Sequence, residues 1–401
     1  MSATLFNSAQ IPNGSPSAPR LAISRVRLND FRCYASLRLN PVTGIVVLTG
    51  ANGAGKTNLL EALSLLSSGR GLRGARLAEI SRLRENGAEE PDVAAREWTV
   101  AAEFATPHGA LSIGVGWAEA DGERRTVHIN GQTARSQTAL AEHISMVWLT
   151  PAMDRLFVEA PASRRRFLDR LVFAFDPAHA GRLQAYDKAR RERSRLLRET
   201  RTDDTWLGAL ERNMAERAVA IAAARLDLVE RLKRTLDEDT GPFPHPEIAV
   251  QGVIEDSLEA QPALNVEENY RAALARARAQ DRISGSCEGI HRSDLFARLS
   301  AAGPRAEQAS TGEQKAILIS LVLAHGRLLA RLKGRVPVLL LDEIAAHLDV
   351  SRRAALFEAI HDLGAQAWLT GTDDSLFAPL NEIAQFHVVA NGQISQQANH
   401  D

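Results

Sequence analysis

Cysteine, lysine and aromatic residues are all scarce in this chain of 401 residues, and each scarcity argues against a class of protein. Two cysteines, Cys33 and Cys287, are too few for a disulfide framework or a cysteine-rich metal site, so a reducing cytoplasm is the expected setting. Aromatic residues make up 5% of the chain, which argues against a stacking platform for single-stranded nucleic acid. No run approaches the ~18 apolar residues that a membrane-spanning helix needs, so no membrane partner is expected.

Charge is almost balanced, because the formal net charge is −1. The chain as a whole therefore has no general attraction for nucleic acid, and a polyanionic partner would need a local basic patch. Residues 1–20 are rich in Ser, Pro, Asn and Gly, and they are predicted to form a disordered tail rather than a secretory signal.

Strand and helix patterns divide the rest of the chain into three parts. Residues 21–160 show short strands, including the continuously apolar GIVVLTG, and then antiparallel hairpin patterns. Residues 161–280 contain a strongly basic helix and a long helix with one apolar stripe, which predicts an inserted helical hairpin. Residues 281–401 complete an α/β unit, so the predicted fold class is α/β with an inserted helical domain.

The stretch GANGAGKT matches G-x-x-x-x-G-K-[ST] and lies between an apolar strand and a helix. Its glycines allow backbone N–H groups to surround phosphate oxygens, and the helix N-terminus adds partial positive charge. The ammonium group of Lys56 is expected to reach the β- and γ-phosphates of ATP, and Thr57 is expected to supply a hydroxyl to Mg²⁺. A glycine-rich turn that only caps a helix is the alternative. The predicted nucleotide-binding residues are Gly50, Ala51, Asn52, Gly53, Ala54, Gly55, Lys56, Thr57 and Asn58.

A pair of carboxylates follows the buried strand in VPVLLLDE. Ligands bind at the carboxyl ends of strands in α/β sheets. Asp342 is therefore expected to hold Mg²⁺ with Thr57, and Glu343 to polarise the attacking water as the catalytic carboxylate. An acidic strand end without a role is the alternative.

The turn STGEQ, which starts at Ser310, opens a long apolar helix. Ser310 and Glu313 form a capping box, which would explain the turn without any ligand. The same turn leaves N–H groups and a hydroxyl facing outward, where they could receive a γ-phosphate. Because the chain already has a phosphate loop, this second edge would serve a nucleotide held by another subunit.

These motifs occur in the order of ABC-type ATPases, with Leu348-Asp349 after the carboxylate pair. The segments LNDFRCY, PASRRRFLD, GIHRSDL and STGEQKA resemble the RecF family of bacterial recombination and gap-repair proteins, over about residues 21 to 389. The resemblance implies an ABC-type P-loop ATPase head with a mixed sheet and an antiparallel β subdomain. It also implies that Ser310 and Gly312 contact the partner's γ-phosphate, that Asp349 lies at the dimer seam, and that Arg32 lies near the phosphates. A surface arginine at a strand end is the alternative for Arg32.

The resemblance further implies a function. Such a protein forms an ATP-dependent homodimer, binds double-stranded and gapped DNA, and helps RecO and RecR to load RecA, with weak ATP hydrolysis as a switch. Two departures stand out in GIHRSDL, where Ile290 and Ser293 replace the usual Pro and Asp. In AWLTGTD, Thr370 and Thr372 stand where transporters carry a histidine, which suits slow hydrolysis.

Two basic clusters are candidates for contact with DNA phosphates. One is Arg70, Arg73 and Arg76 in GRGLRGARL, and the other is the run of Arg164, Arg165 and Arg166 with the basic helix behind it. A solvated helix face with internal ion pairs is the alternative for the second cluster. Recognition of the DNA backbone, without reading of base sequence, is expected.

Three other functions share parts of this pattern. A transporter ATPase subunit is disfavoured by the long helical insertion and the STGEQ turn. An ATP-dependent nuclease would need a further acidic domain, for which the residues after Asp349 are too few, and a chromosome-structure ATPase would need far more coiled coil.

Overall fold

The computed structural model of the protein describes residues 21–42, 44–82, 97–199 and 203–397, so the predicted tail lies outside the described residues. In chain order the strands are β1 (Ala22–Phe31), β2 (Tyr34–Leu39), β3 (Ile45–Thr49), β4 (Trp98–Thr106), β5 (Gly109–Trp117), β6 (Thr126–Ile129), β7 (Gln132–Thr133), β8 (Met146–Leu149), β9 (Glu247–Gln251), β10 (Asp294–Arg298), β11 (Val338–Leu341), β12 (Ala367–Gly371), β13 (Ala384–Ala390) and β14 (Gln393–Gln396). The α-helices are α1 (Lys56–Ser64), α2 (Leu77–Ile80), α3 (Leu140–His143), α4 (Pro161–Phe173), α5 (His179–Leu197), α6 (Asp204–Asp237), α7 (Val253–Ala260), α8 (Ala263–Arg276), α9 (Arg278–Ser284), α10 (Thr311–Lys333) and α11 (Val350–Leu363).

A mixed six-stranded sheet forms the centre of the fold, in the order β14-β13-β3-β12-β11-β8. All neighbours from β13 to β8 are parallel, and β14 pairs antiparallel with β13. The strand before the phosphate loop, β3, therefore lies between β12 and β13, both from the last part of the chain. This order places the phosphate loop and the end of β11 at the same edge of the sheet.

The central strands are apolar throughout because both faces of the sheet are covered. Val46 and Leu48 of β3 face a core shared with α1 and the antiparallel sheet. Ile45 and Val47 face the opposite core, which α4, α10, α11 and the end of α6 complete. The antiparallel sheet has the order β2-β1-β4-β5-β6-β7, and Asn130 and Gly131 turn the β6–β7 hairpin with positive φ, as the sequence predicted.

The helical region between the two parts of the α/β unit is larger than the predicted hairpin and packs in two places. Leu228, Leu232 and other residues near the end of α6 belong to the core under the central sheet. Met214 and Ile221, nearer its start, join a separate core with α5 and α8. In addition, β9 of the predicted insertion pairs with β10 beyond it. The division at residues 160/161 and 280/281 stays a prediction, and packing crosses it.

Within the described residues, no helix is both long enough and apolar enough to cross a bilayer.

Candidate nucleotide-binding site

The phosphate loop is wedged between β13 and the β1–β2 turn. A Cβ on Gly50 would lie 2.2 Å from the carbonyl oxygen of Val389, so only glycine fits there. On the other side, a Cβ on Gly55 would lie 2.8 Å from Cys33 Sγ, and the Tyr34 hydroxyl donates to the carbonyl of Gly55 at 3.0 Å. Burial, and to a lesser extent Cys33, raises the pKa of Tyr34, which therefore stays a protonated donor. These contacts fix the shape of the loop.

Lys56 begins α1 and is buried at the mouth of the loop. Its ammonium donates to the carbonyl oxygens of Gly50 at 2.6 Å and Ala51 at 2.9 Å. Burial lowers the pKa of Lys56, whereas the nearby carboxylates Glu343 and Asp342 raise it in part. Two short, charge-assisted bonds to loop carbonyls thus hold the lysine over the loop, and phosphate oxygens, which carry negative charge, can replace these carbonyls.

Thr57 meets the carboxylate predicted to share its metal. Its Oγ1 lies 3.0 Å from both Oδ1 and Oδ2 of Asp342, although the two residues are 285 positions apart. Thr370 completes this group, because its hydroxyl donates to Asp342 Oδ1 at 2.7 Å and accepts the backbone N–H of Glu343 at 2.9 Å. Glu343 itself has a positive φ of 50°, which turns its side chain off the line of β11. One buried threonine therefore binds the carboxylate of Asp342 and the backbone of Glu343.

The residues at this edge fit a magnesium nucleotide. The hydroxyl of Thr57 and the carboxylate of Asp342 are hard oxygen ligands of the kind that Mg²⁺ takes with phosphates and water. A Cβ on Gly53 would meet nothing within 4 Å, so the crest of the loop is open for a phosphate. Gly55, as N-cap of α1, has no side chain to occupy the helix N-terminus, which is an anion site.

Arg32 lies beside the phosphate loop but is already paired. Its guanidinium donates to both carboxylate oxygens of Glu61, with Nε–Oε2 of 2.9 Å and Nη2–Oε1 of 2.8 Å, and also to the carbonyl of Glu79. Asn58 donates to Cys33 Sγ at 3.2 Å on the same side of α1. Contact between Arg32 and a phosphate stays a prediction.

The STGEQ turn at the start of α10, called the signature turn below, forms its capping box. Glu313 N–H donates to Ser310 Oγ, and Glu313 Oε2 accepts from both the backbone N–H and the hydroxyl of Ser310 at 2.8 Å. These two donors lower the pKa of Glu313. A Cβ on Gly312 would lie 3.7 Å from Nη1 of Arg352, whose backbone N–H is capped by Asp349. The structure thus brings the predicted γ-phosphate receptor and the predicted seam residue onto one face.

That face is exposed in the single chain. Ser310 and Asp349 are solvent-exposed, and Val350, directly after Asp349, is 74% exposed.

The first basic cluster lies in the loop after α1 and is exposed to solvent. Arg70, Arg73 and Arg76 are all exposed, and within the ranges that the structure describes no ion pair holds Arg70 or Arg76. Arg73 donates to Glu61 Oε2 at 2.7 Å and to Asn58 Oδ1 at 2.9 Å, so it is tied to α1.

Arg164, which was predicted to contact DNA, is not accessible to a ligand in this structure. Arg164 is buried, and its guanidinium forms two bonds to Asp294, at 2.7 and 2.8 Å, and further bonds to backbone carbonyls. Arg165 is half-buried and donates to the carbonyl of Ser293, whereas Arg166 is exposed. Of this run, Arg166 is best placed to meet a ligand.

Several residues at the site were not identified from sequence. Glu61 holds Arg32 and Arg73, and its place one helical turn after Thr57 was the available signal. Lys315, at the end of the STGEQK segment, is buried and pairs with Asp154 at 3.2 Å. This ion pair joins α10 to the 3-10 helix Pro151–Arg155, which follows β8.

The parallel sheet, the phosphate loop, the acidic strand end and the distant signature turn define a P-loop ATPase head of the ABC type. The family model described as the RecF/RecN/SMC N-terminal domain matches residues 22–395. The DNA replication and repair protein RecF of Mesorhizobium japonicum is 49% identical over 376 residues, which cover 93% of this chain and 97% of that protein. RecF of Rhizobium meliloti is 46% identical over 380 residues, covering 94% and 99%. The chain belongs to the RecF family of DNA replication and repair proteins.

Solved structures share the fold. RecF with ATP, a recombination mediator protein of the RecFOR pathway, has a TM-score of 0.80 at 22% identity and covers 95% of this chain and 99% of that one. The SmcHead bound to the C-winged-helix domain of ScpA has a TM-score of 0.52 at 16% identity, covering 94% and 97%. The predicted fold class is confirmed, and neither a transporter subunit nor a nuclease is favoured.

Proposed function

We propose that this protein is an ATP-controlled DNA clamp of recombinational repair that dimerises around bound nucleotide and uses slow hydrolysis as its release step. The observation that carries the proposal is the contact of Thr57 with Asp342, since it joins the phosphate loop to the acidic strand end in the arrangement that a magnesium nucleotide requires. The exposed signature turn supplies the second half of the proposed nucleotide site, because it is accessible to another subunit.

Each residue of the nucleotide edge has a role in this proposal. Backbone N–H groups of Gly50 to Gly55 bind the phosphates, and Lys56 replaces its carbonyl partners with β- and γ-phosphate oxygens. Thr57 and Asp342 hold Mg²⁺, which neutralises charge on the phosphates when bound. Glu343 accepts a proton from the attacking water, while Thr370 orients it through its backbone N–H.

The dimer follows from the position of the signature turn. Ser310 and Gly312 of one subunit would meet the γ-phosphate held by the other, with Asp349 at the seam. Lys315 and Asp154 would keep the signature helix in register with β8, which lies next to the metal-binding strand β11. Nucleotide then acts as part of the interface, and hydrolysis weakens it.

The DNA-facing part of the proposal rests on charge and on family. Arg70, Arg76 and Arg166 are exposed guanidinium groups able to neutralise DNA phosphates without reading bases. The solved relatives come from the RecFOR pathway. We therefore infer that this protein acts in the cytoplasm at double-strand/single-strand junctions of gapped DNA, with RecO and RecR as partners in loading RecA.

The variant Ser310→Arg tests the dimer directly. It should leave ATP binding by the monomer unchanged and abolish ATP-dependent dimerisation, because the new side chain blocks only the partner's γ-phosphate. Light scattering with ATP, with ADP and without nucleotide gives the oligomeric state, and fluorescence titration gives the ATP affinity.

Ser284→Arg is the matched control, since Ser284 is also exposed but lies at the end of α9. It should dimerise normally. A Ser310→Arg chain that no longer binds ATP, or that still dimerises, would contradict the assignment of Ser310 to the partner's site.

A further inference from the structure

One buried carboxylate holds two arginines that were predicted to serve different ligands. Glu61 is 1% exposed and lies on α1, one turn after Thr57. Arg32, predicted for the nucleotide, forms two bonds to it, and Arg73, predicted for DNA, forms a third at 2.7 Å. The cluster therefore carries two positive charges against one negative charge, and it adjoins the helix that carries the phosphate loop.

The two arginines are not held equally. Arg32 binds both oxygens of Glu61, and its side chain is 21% exposed. Arg73 binds only Oε2 of this carboxylate, and its side chain is 40% exposed. A bidentate, shielded pair is stronger than a single exposed contact. An incoming anion can therefore draw Arg73 away from Glu61. The charge of Glu61 is then still neutralised by Arg32.

Arg73 also has room to move. It precedes Gly74, which has a positive φ of 62° and no atom within 4 Å of an added Cβ, so no neighbouring group blocks the chain on this side. On the other side, Leu72 is fixed by its N–H bond to Ser64 Oγ at 2.7 Å. The movement would thus be local to the arginine and the residues after it.

We propose that Glu61 is a positioning residue for two arginines. It keeps Arg32 beside the phosphate loop, and it binds Arg73 until a DNA phosphate replaces Glu61 as the partner of Arg73. This inference rests on the proposed function. Release of Arg73 also frees Asn58 Oδ1, directly after the metal-binding Thr57, so DNA contact alters the first turn of the phosphate-loop helix. Glu61 in this way joins the arginine that is released to DNA to the arginine that stays beside the phosphate loop.

The variant Glu61→Gln tests this role. The amide keeps one acceptor oxygen but loses the negative charge, which weakens its hold on the exposed Arg73, so the nucleotide-free chain should bind duplex DNA about two- to fivefold more tightly. The dependence of affinity on salt should become steeper by up to about one unit of slope, as one more guanidinium becomes free for phosphate. Fluorescence anisotropy with a labelled duplex across a salt series measures both.

Arg73 and Arg70 provide the matched comparison. Arg73→Gln should lower DNA affinity more in the Glu61→Gln background than in the unsubstituted chain, because only there is the full charge of Arg73 available. Arg70→Gln should lower it equally in both backgrounds, since Glu61 does not hold Arg70. Equal effects of Arg73→Gln in the two backgrounds would overturn the inference, as would a Glu61→Gln chain that binds DNA less tightly.

Asn58→Ala covers the case in which Glu61→Gln does not fold. It removes the other acceptor that holds Arg73 and should raise nucleotide-free DNA affinity in the same direction, by a smaller factor. No increase would count against the inference. A chain that binds no duplex DNA in any state overturns the proposed function itself, whereas normal DNA binding that is indifferent to Glu61 and Asn58 overturns only this coupling.

Discussion

Two helix N-termini in this protein are proposed to face phosphate, and they differ in how many of their binding groups are already in place. At α1, the N-cap is Gly55 and the amides face a loop with Lys56 above it and Asp342 beside it. At α10, Ser310 and Glu313 satisfy each other in a capping box, and the turn is exposed. The first terminus has its ligand-binding partners within the chain, and the second has its amides partly occupied by its own side chains.

The difference between the two termini indicates which step controls the proposed cycle of ATP binding, dimerisation and hydrolysis. The edge around α1 is assembled before nucleotide arrives, so ATP binding needs little rearrangement there. At α10, a phosphate must compete with the carboxylate of Glu313 for the Ser310 hydroxyl. Dimerisation is therefore expected to be the weaker and more adjustable event, as a release step requires.

The largest effect should come from Lys56→Ala at the first terminus. Loss of a charged donor to two phosphates should weaken ATP binding by ~100-fold or more, and ATP-dependent dimerisation should disappear with it. Isothermal titration with ATP measures the affinity, and light scattering measures the dimer. The comparison of the two termini fails if this variant still binds ATP normally, or if Ser310→Arg lowers ATP affinity as much.

A smaller effect is expected from Thr370→Val, which removes the hydroxyl that binds the Asp342 carboxylate and the backbone N–H of Glu343. Loss of these buried bonds should slow ATP turnover about tenfold, while ATP affinity and dimerisation stay within about twofold. Phosphate release assays and titration separate the two. Thr372→Val, at the exposed neighbouring threonine, is the control and should change neither. A turnover rate unaffected by Thr370→Val would show that Thr370 does not position the carboxylates.

The smallest effect should appear at the second terminus with Glu313→Gln. An amide keeps the capping bonds but removes a negative charge next to the proposed γ-phosphate contact, so the ATP-bound dimer should tighten about two- to threefold. Sedimentation over a range of protein concentrations gives the dimer affinity, and the gain should shrink at high salt. A weaker dimer would mean that Glu313 itself contributes to the interface.

Contiguous motifs were predictable from sequence, because each carries its structural context with it. GIVVLTG followed by GANGAGKT is a buried strand, a turn and a helix start within a few residues, and LLLDE is a strand with its functional end. The hairpin at Asn130-Gly131 and the apolar stripe of α6 were predictable for the same reason. In each case the residues that decide the structure are neighbours in the chain or on one helix face.

Contacts between distant segments were not predictable. Arg164 and Arg225 belong to basic or polar patterns that suit a solvated helix, yet Arg164 pairs with Asp294 and Arg225 forms two bonds to Asp169 inside the protein. A buried guanidinium is tolerated only where a carboxylate meets it, and the sequence does not show which carboxylate that is. The role of Glu61 was hidden for the same reason, since its two partners come from separate turns.

The strand order has a consequence for how the protein is made. Because β3 is bordered by β12 and β13, the segment that carries the phosphate loop finds both hydrogen-bonding neighbours only in the last few dozen residues. A growing polypeptide on the ribosome therefore cannot complete the sheet around the phosphate loop until β12 and β13 have been translated. Such long-range pairing also predicts slow folding, and the proposed nucleotide site is complete only when these distant strands have paired.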